Sequence, residues 1–120
     1  MSNLLSNGGI VVYQQSFSED AFQEIFPEEV ERWRQRGARI VDVRERWEYE
    51  GGHLPGARNV PLGELPERVE ELRGSPVVLV CASGNRSEGA ARFLSRSGFG
   101  EVANLLGGTA GWAQRGRPLE

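Results

Sequence analysis

The chain is expected to fold as an α/β sandwich around a mostly parallel sheet, and three observations predict it. Val77-Val78-Leu79-Val80 is apolar at every position, the mark of a strand buried on both faces. Short strand-like runs alternate with helix-like runs along most of the sequence, which in two layers or three gives strands joined through helices. Glycines stand where helices must stop: Gly37, Gly51-Gly52 and Gly98.

In chain order, Ile10 to Tyr13 suggests a short strand and Ser16 to Phe22 the start of a short helix. No domain boundary is indicated after about residue 23, so residues 1–23 are read as an extension and 24–120 as one domain. Gln23 to Phe26 is a strand candidate. Pro27 to Arg36 is predicted helical, with Pro in the first turn and Glu28, Glu29 and Glu31 at the positive helix end. Val30, Trp33 and the stem of Arg34 form its inner stripe. Phe26 stands where a capping side chain would serve better, a loss of about 1 kcal/mol. Arg39 to Val43 is the next strand, Glu45 to Glu50 a short helix, and Ala57 to Val60 a short strand. Leu65 to Leu72 is a helix with Leu65, Val69 and Leu72 inward. After the central strand, Glu88 to Ser97 is a helix burying Ala90, Ala91 and Leu94. Glu101 to Leu105 is the last strand and Ala110 to Arg115 the last helix.

Bulk properties exclude several functions. At 120 residues, 38% apolar and 26% charged, the chain can bury a core without staples. A net charge of −3 with interspersed signs argues against nucleic-acid binding. One cysteine forms no internal disulfide, and one His with one Cys builds no common zinc site. No apolar stretch is long enough to span a membrane, and residues 1–9 lack the pattern of a secretory signal. A cytoplasmic location with no metal and no cofactor is therefore expected.

The lone cysteine, Cys81, ends the central strand and opens the loop Cys81-Ala82-Ser83-Gly84-Asn85-Arg86-Ser87, with a helix directly after. In parallel sheets ligands bind beyond the carboxyl ends of strands. A strand, a tight Gly-containing loop and a helix start aim N–H groups at one point, which favours a thiolate there. The competing reading is an inert buried cysteine. Asp42 and Arg44, at the end of another strand, are expected on the same edge of the sheet.

Four segments carry a family resemblance. They are Ile40-Val-Asp-Val-Arg44 with Glu48-Tyr49, Gly52-His-Leu-Pro-Gly-Ala57, the Cys81 to Ser87 loop, and Gly107-Gly-Thr-Ala-Gly-Trp112. From about residue 24 to 118 the chain resembles a single rhodanese domain, the fold of sulfurtransferases. The resemblance implies a three-layer α/β/α sandwich with five parallel strands in the order 3-2-4-5-1. It implies that Cys81 accepts a sulfane sulfur as a persulfide and passes it on. The donor would be a small sulfur compound such as thiosulfate or a protein persulfide. The acceptor would be a thiol, such as thioredoxin or glutathione, or cyanide. Neither a nucleic acid nor a membrane is implied as a partner.

Within that reading, Ala82, Ser83, Gly84, Asn85, Arg86 and Ser87 form the cradle for the sulfur, and Gly84 lets it curl. Ser87 is expected to cap the following helix, and Gly89 to allow close helix–sheet packing. Arg86 is expected to turn inward and pair with Asp42, which would otherwise be an unpaired carboxylate. The alternative is that it faces an anionic donor. Arg44 is expected to pair with Glu48 four residues on, or to rim the pocket. His53, in a turn, is expected to be structural rather than a base. Trp112 is expected to close the core, and Trp47 and Tyr49 to be partly surface. A related-fold phosphatase or arsenate reductase is the alternative function. Those enzymes use a Cys-x5-Arg loop, whereas only four residues separate Cys81 from Arg86, a cradle suited to one sulfur atom. A sulfur-carrier or interaction module is the second alternative.

Overall fold

The computed structural model describes residues 21–120. The strand expected over Ile10–Tyr13 and most of the helix expected from Ser16 lie outside the described residues. The elements are β1 (Gln23–Ile25), α1 (Val30–Gln35), β2 (Arg39–Asp42), α2 (Arg46–Glu50), β3 (Arg58–Asn59), α3 (Leu65–Arg68), β4 (Val77–Val80), α4 (Asn85–Arg96), β5 (Val102–Leu105) and α5 (Gly108–Gln114). Short 3-10 turns precede α1 and flank α3.

The five strands form one sheet in the order β1-β5-β4-β2-β3, and every neighbouring pair is parallel. Read from the other edge this is the expected 3-2-4-5-1. Side-chain alternation along β4 divides the core. Val77 and Leu79 pack with Leu65, Leu72, Ala90, Ala91 and Leu94 on the face covered by α3 and α4. Val78 and Val80 pack with Ile25, Val30, Trp33, Leu105 and Trp112 on the face covered by α1 and α5. The all-apolar run is thus the strand that both helical layers share. Trp112 closes the second cluster, and its indole N–H donates to the Pro118 carbonyl at 2.8 Å.

Several boundaries differ from expectation. Pro27 to Glu29 is a 3-10 turn, and only Val30 onward is α-helical. Its entry is held by the Glu29 carboxylate, which accepts the Phe26 N–H at 3.0 Å and so offsets the missing cap. The helix expected over Leu65 to Leu72 is α-helical only to Arg68 and tightens to 3-10 afterwards. The two helices that border the site both start early. α4 starts three residues earlier than predicted, at Asn85, and α5 two residues earlier, at Gly108. Glycines in the left-handed conformation, Gly84 (φ 110°) and Gly107 (φ 79°), turn the chain before these helices. No helix among the described residues is long and apolar enough to cross a membrane.

Candidate active site: a cysteine ringed by donors

Cys81 is the first residue beyond β4 and is 1% exposed. It continues the strand's alternation onto the α4 face, among Leu79, Ala90 and Ala91. Gly84 then turns through φ 110°, and Asn85, Arg86 and Ser87 form the first turn of α4. That turn has no side-chain cap. Of its N–H groups, that of Ser87 is directed at the sulfur instead, joined by those of Ser83 and Gly84 just before the helix.

The Gly84 N–H lies 3.0 Å from Sγ of Cys81, and the Ser87 hydroxyl oxygen 3.3 Å from it. The N–H groups of Ser83 and Ser87 also donate to the sulfur. Burial pushes the thiol pKa up, but the Ser87 hydroxyl and the three N–H groups outweigh it. The net result is a thiol below its ordinary value of 9.0. Ser87 therefore does not cap α4 as expected. It sits at the third helical position, and its hydroxyl serves the sulfur and Asn104.

The opposite wall explains why N–H groups rather than carbonyls face inward. The carbonyl of Cys81 accepts from the Thr109 N–H at 2.8 Å and from its hydroxyl at 3.1 Å. The carbonyl of Ala82 accepts from the Ala110 N–H at 3.0 Å. Both acceptors are thus turned away from Sγ by the start of α5. The approach is so close that a Cβ on Gly108 would stand 2.4 Å from the Cys81 carbonyl oxygen. Gly107 to Trp112 is therefore the segment that pins the loop.

The two arginines exchange the partners expected of them. Asp42 is fully buried and pairs with Arg44, whose Nε and a terminal nitrogen reach it at 3.0 and 2.8 Å. The Arg44 N–H also donates to Asp42 at 3.0 Å, and the guanidinium reaches the Gly52 carbonyl at 2.7 Å. The expected Arg86–Asp42 pair is absent for a topological reason. Asp42 shares its alternation with Ile40, on the α1/α5 face, whereas Arg86 belongs to α4 on the other. Arg86 instead grips both oxygens of Glu48, at 2.8 and 2.9 Å. The expected Arg44–Glu48 pair fails because Arg44 precedes α2 and the four-residue helical spacing does not apply.

The remaining expectations settle around this frame. Ala82, Ser83 and Asn85 present no charge, and Ser83 and Asn85 are exposed. Gly89 is exposed, and a Cβ there would meet nothing within 4 Å, so close packing does not account for it. His53 stacks on Tyr49 with ring centroids 3.7 Å apart, and its Nδ1–H donates to the Tyr49 carbonyl at 2.8 Å. It is a strut, as expected. Trp47 is 74% exposed and stands over a groove of about 440 Å³ that runs past Ala82, Ala110 and Leu119.

Asn104 is a site residue that spacing did not mark. It is 1% exposed on β5, donates from Nδ2 to the Gly84 carbonyl at 3.2 Å, and accepts the Ser87 hydroxyl at 2.5 Å. An amide in the otherwise apolar run Val102-Ala-Asn-Leu105 was the available signal, since a buried amide needs partners.

Comparison with known proteins agrees with this geometry. The rhodanese-like domain profile matches residues 26–115. The thiosulfate sulfurtransferase GlpE of Pseudomonas aeruginosa is 35% identical over 94 residues, covering 78% of this chain and 86% of that protein. A putative sulfur carrier protein, YrkF of Bacillus subtilis, is 45% identical over 74 residues, covering 61% of this chain but only 40% of its own length. The crystal structure of a rhodanese-related protein from Thermoplasma volcanium superposes with a TM-score of 0.75 at 31% identity, covering 82% of this chain and 98% of that one. With a profile match over residues 26–115, which takes in four of the five strands and the cysteine loop, the chain belongs to the rhodanese-like domain family.

Proposed function

We propose that the protein is a sulfurtransferase in which Cys81 carries a sulfane sulfur. The observation that supports this best is the ring of N–H and hydroxyl donors converging on Sγ of Cys81, with the Gly84 N–H at 3.0 Å. Such a ring favours the thiolate and holds the anion that forms on it as preorganised dipoles. With thiosulfate, the Cys81 thiolate attacks the outer sulfur, a new S–S bond forms, and the old bond to the oxidised sulfur breaks to release sulfite. The negative charge passes to the outer sulfur of a Cys81 persulfide. An acceptor thiolate then attacks that outer sulfur, leaves as a persulfide, and returns Cys81 as a thiolate.

A protein persulfide fits the site better as donor than thiosulfate does. Arg86 is the loop's only cation, and both its terminal nitrogens already serve Glu48. A small dianion meets little free positive charge there, whereas the apolar groove beside Ala82 has room for a polypeptide. The same capture of Arg86 disfavours phosphate-ester hydrolysis, which needs a free guanidinium and a loop acid. A single reactive thiol also suits the reducing cytoplasm, where we place the protein. Residues 24–120 are taken as the functional domain.

Intact-mass spectrometry after incubation with thiosulfate or a persulfide donor is the test. One added sulfur atom is expected, lost with dithiothreitol or cyanide and absent in Cys81→Ser. No labile adduct with any donor would sink the proposal, and Cys81-dependent hydrolysis of a phosphate ester would replace it. Adduct formation without turnover would assign a carrier instead.

A further inference from the structure

We infer that Asn104 is a positioning residue for Cys81, acting through the hydrogen of the Ser87 hydroxyl; this rests on the reading of Cys81 as the sulfur-accepting group. Ser87 is fully buried and has one hydroxyl hydrogen to donate. Two acceptors stand within reach of it: Sγ of Cys81 at 3.3 Å and Oδ1 of Asn104 at 2.5 Å. It serves one of them at a time.

The orientation of the amide is fixed. Nδ2 of Asn104 donates to the Gly84 carbonyl at 3.2 Å, and reversing the amide would set two oxygens against each other there. Oδ1 is therefore always the atom facing Ser87. While Cys81 is a thiol, Ser87 gives its hydrogen to Asn104 and accepts the S–H. When Cys81 loses its proton, the hydroxyl rotates toward the sulfur, and Oδ1 is left against an oxygen with no hydrogen between them. In the persulfide the charge resides on the outer sulfur, Sγ is a neutral divalent atom, and the hydrogen returns to Asn104. The amide thus favours the thiol and the loaded carrier over the bare thiolate. Through Nδ2 it also holds Gly84, whose own N–H touches the sulfur at 3.0 Å.

A double-mutant cycle tests the linkage on the full-length protein. The readout is the pH midpoint of Cys81 alkylation by iodoacetamide, which needs no sulfur donor. It therefore reports on Asn104 even if no persulfide forms. Asn104→Leu is expected to lower the midpoint by about 0.5 to 1 unit, because Ser87 is released to the sulfur. In the Ser87→Ala background the same substitution is expected to produce no such lowering. Asn104→Ala serves the same cycle should leucine prevent folding. Equal shifts in the two backgrounds, or no shift with Ser87 present, would overturn the inference, since a general loosening of the loop would act with or without the hydroxyl.

Discussion

Arg86 and Glu48 form a two-pronged ion pair, 2.8 and 2.9 Å across its two bonds, that joins the first turn of α4 to the first turn of α2. One Glu48 oxygen also accepts the Glu45 N–H at 2.9 Å, so the carboxylate closes its own helix start while it holds the cysteine loop. The pair takes the loop's one cation out of service as an anion site.

Glu48→Gln is therefore expected to lower the KM for thiosulfate by about threefold to tenfold, the scale of one partly screened charge pair. Steady-state kinetics with thiosulfate and cyanide checks this. A KM that stays put or rises would mean that Arg86 does not reach the donor even when released.

The same pair makes stability depend on pH in a defined window. Hydrogen bonds from the Arg86 guanidinium outweigh burial and bring the Glu48 carboxyl from 4.5 down to about 2. A carboxyl held lower in the folded state than in the unfolded one adds stability above its unfolded value. That contribution drains as pH falls from 4.5 through about 2. The urea-midpoint difference between wild type and Glu48→Gln should be full at about pH 6 and should shrink across that window. A difference that is flat with pH would contradict it.

Asp42 and Arg44 should be far less forgiving. Removing one partner leaves a buried charge unpaired, so Arg44→Ala or Asp42→Ala is expected to cost about 3–5 kcal/mol in urea unfolding. The surface pair Arg32–Glu29, with Arg32 68% exposed, should cost under about 1 kcal/mol on the same measurement. Equal effects would show that the Asp42–Arg44 pair is as solvated as the surface one.

Two glycines should respond in opposite directions to alanine. Gly108→Ala would drive a Cβ into the Cys81 and Ala82 carbonyls, at 2.4 and 2.7 Å, at a backbone φ of 57°. It is expected to slow Cys81 alkylation at neutral pH at least tenfold or to prevent folding, because the displaced loop no longer favours the thiolate. Gly89→Ala meets nothing within 4 Å in an exposed helical position and should stabilise by about 1 kcal/mol. Thermal denaturation and alkylation rates of both variants provide the check.

Much of this protein is legible from residue order alone. The unbroken apolar run Val77–Val80 announced the central strand, and the alternation of strands with helices announced the parallel sheet around it. Cys81 at that strand's end, followed by Gly84 and a helix, announced a thiol lined by backbone donors. These features are local: they follow from periodicity, turn chemistry and the directions of backbone N–H groups. Tertiary structure decided which side chains meet. Asp42 and Arg86 are complementary in charge and near in the fold, yet alternation sends Asp42 to the face opposite α4, so Arg44 takes it and Glu48 takes Arg86. Asn104, 23 residues beyond Cys81 in the sequence, reaches Ser87 beside Cys81 only because β5 lies beside β4 with Leu79 in register with it. Pairing across a sheet depends on register and face, which no single stretch of sequence carries.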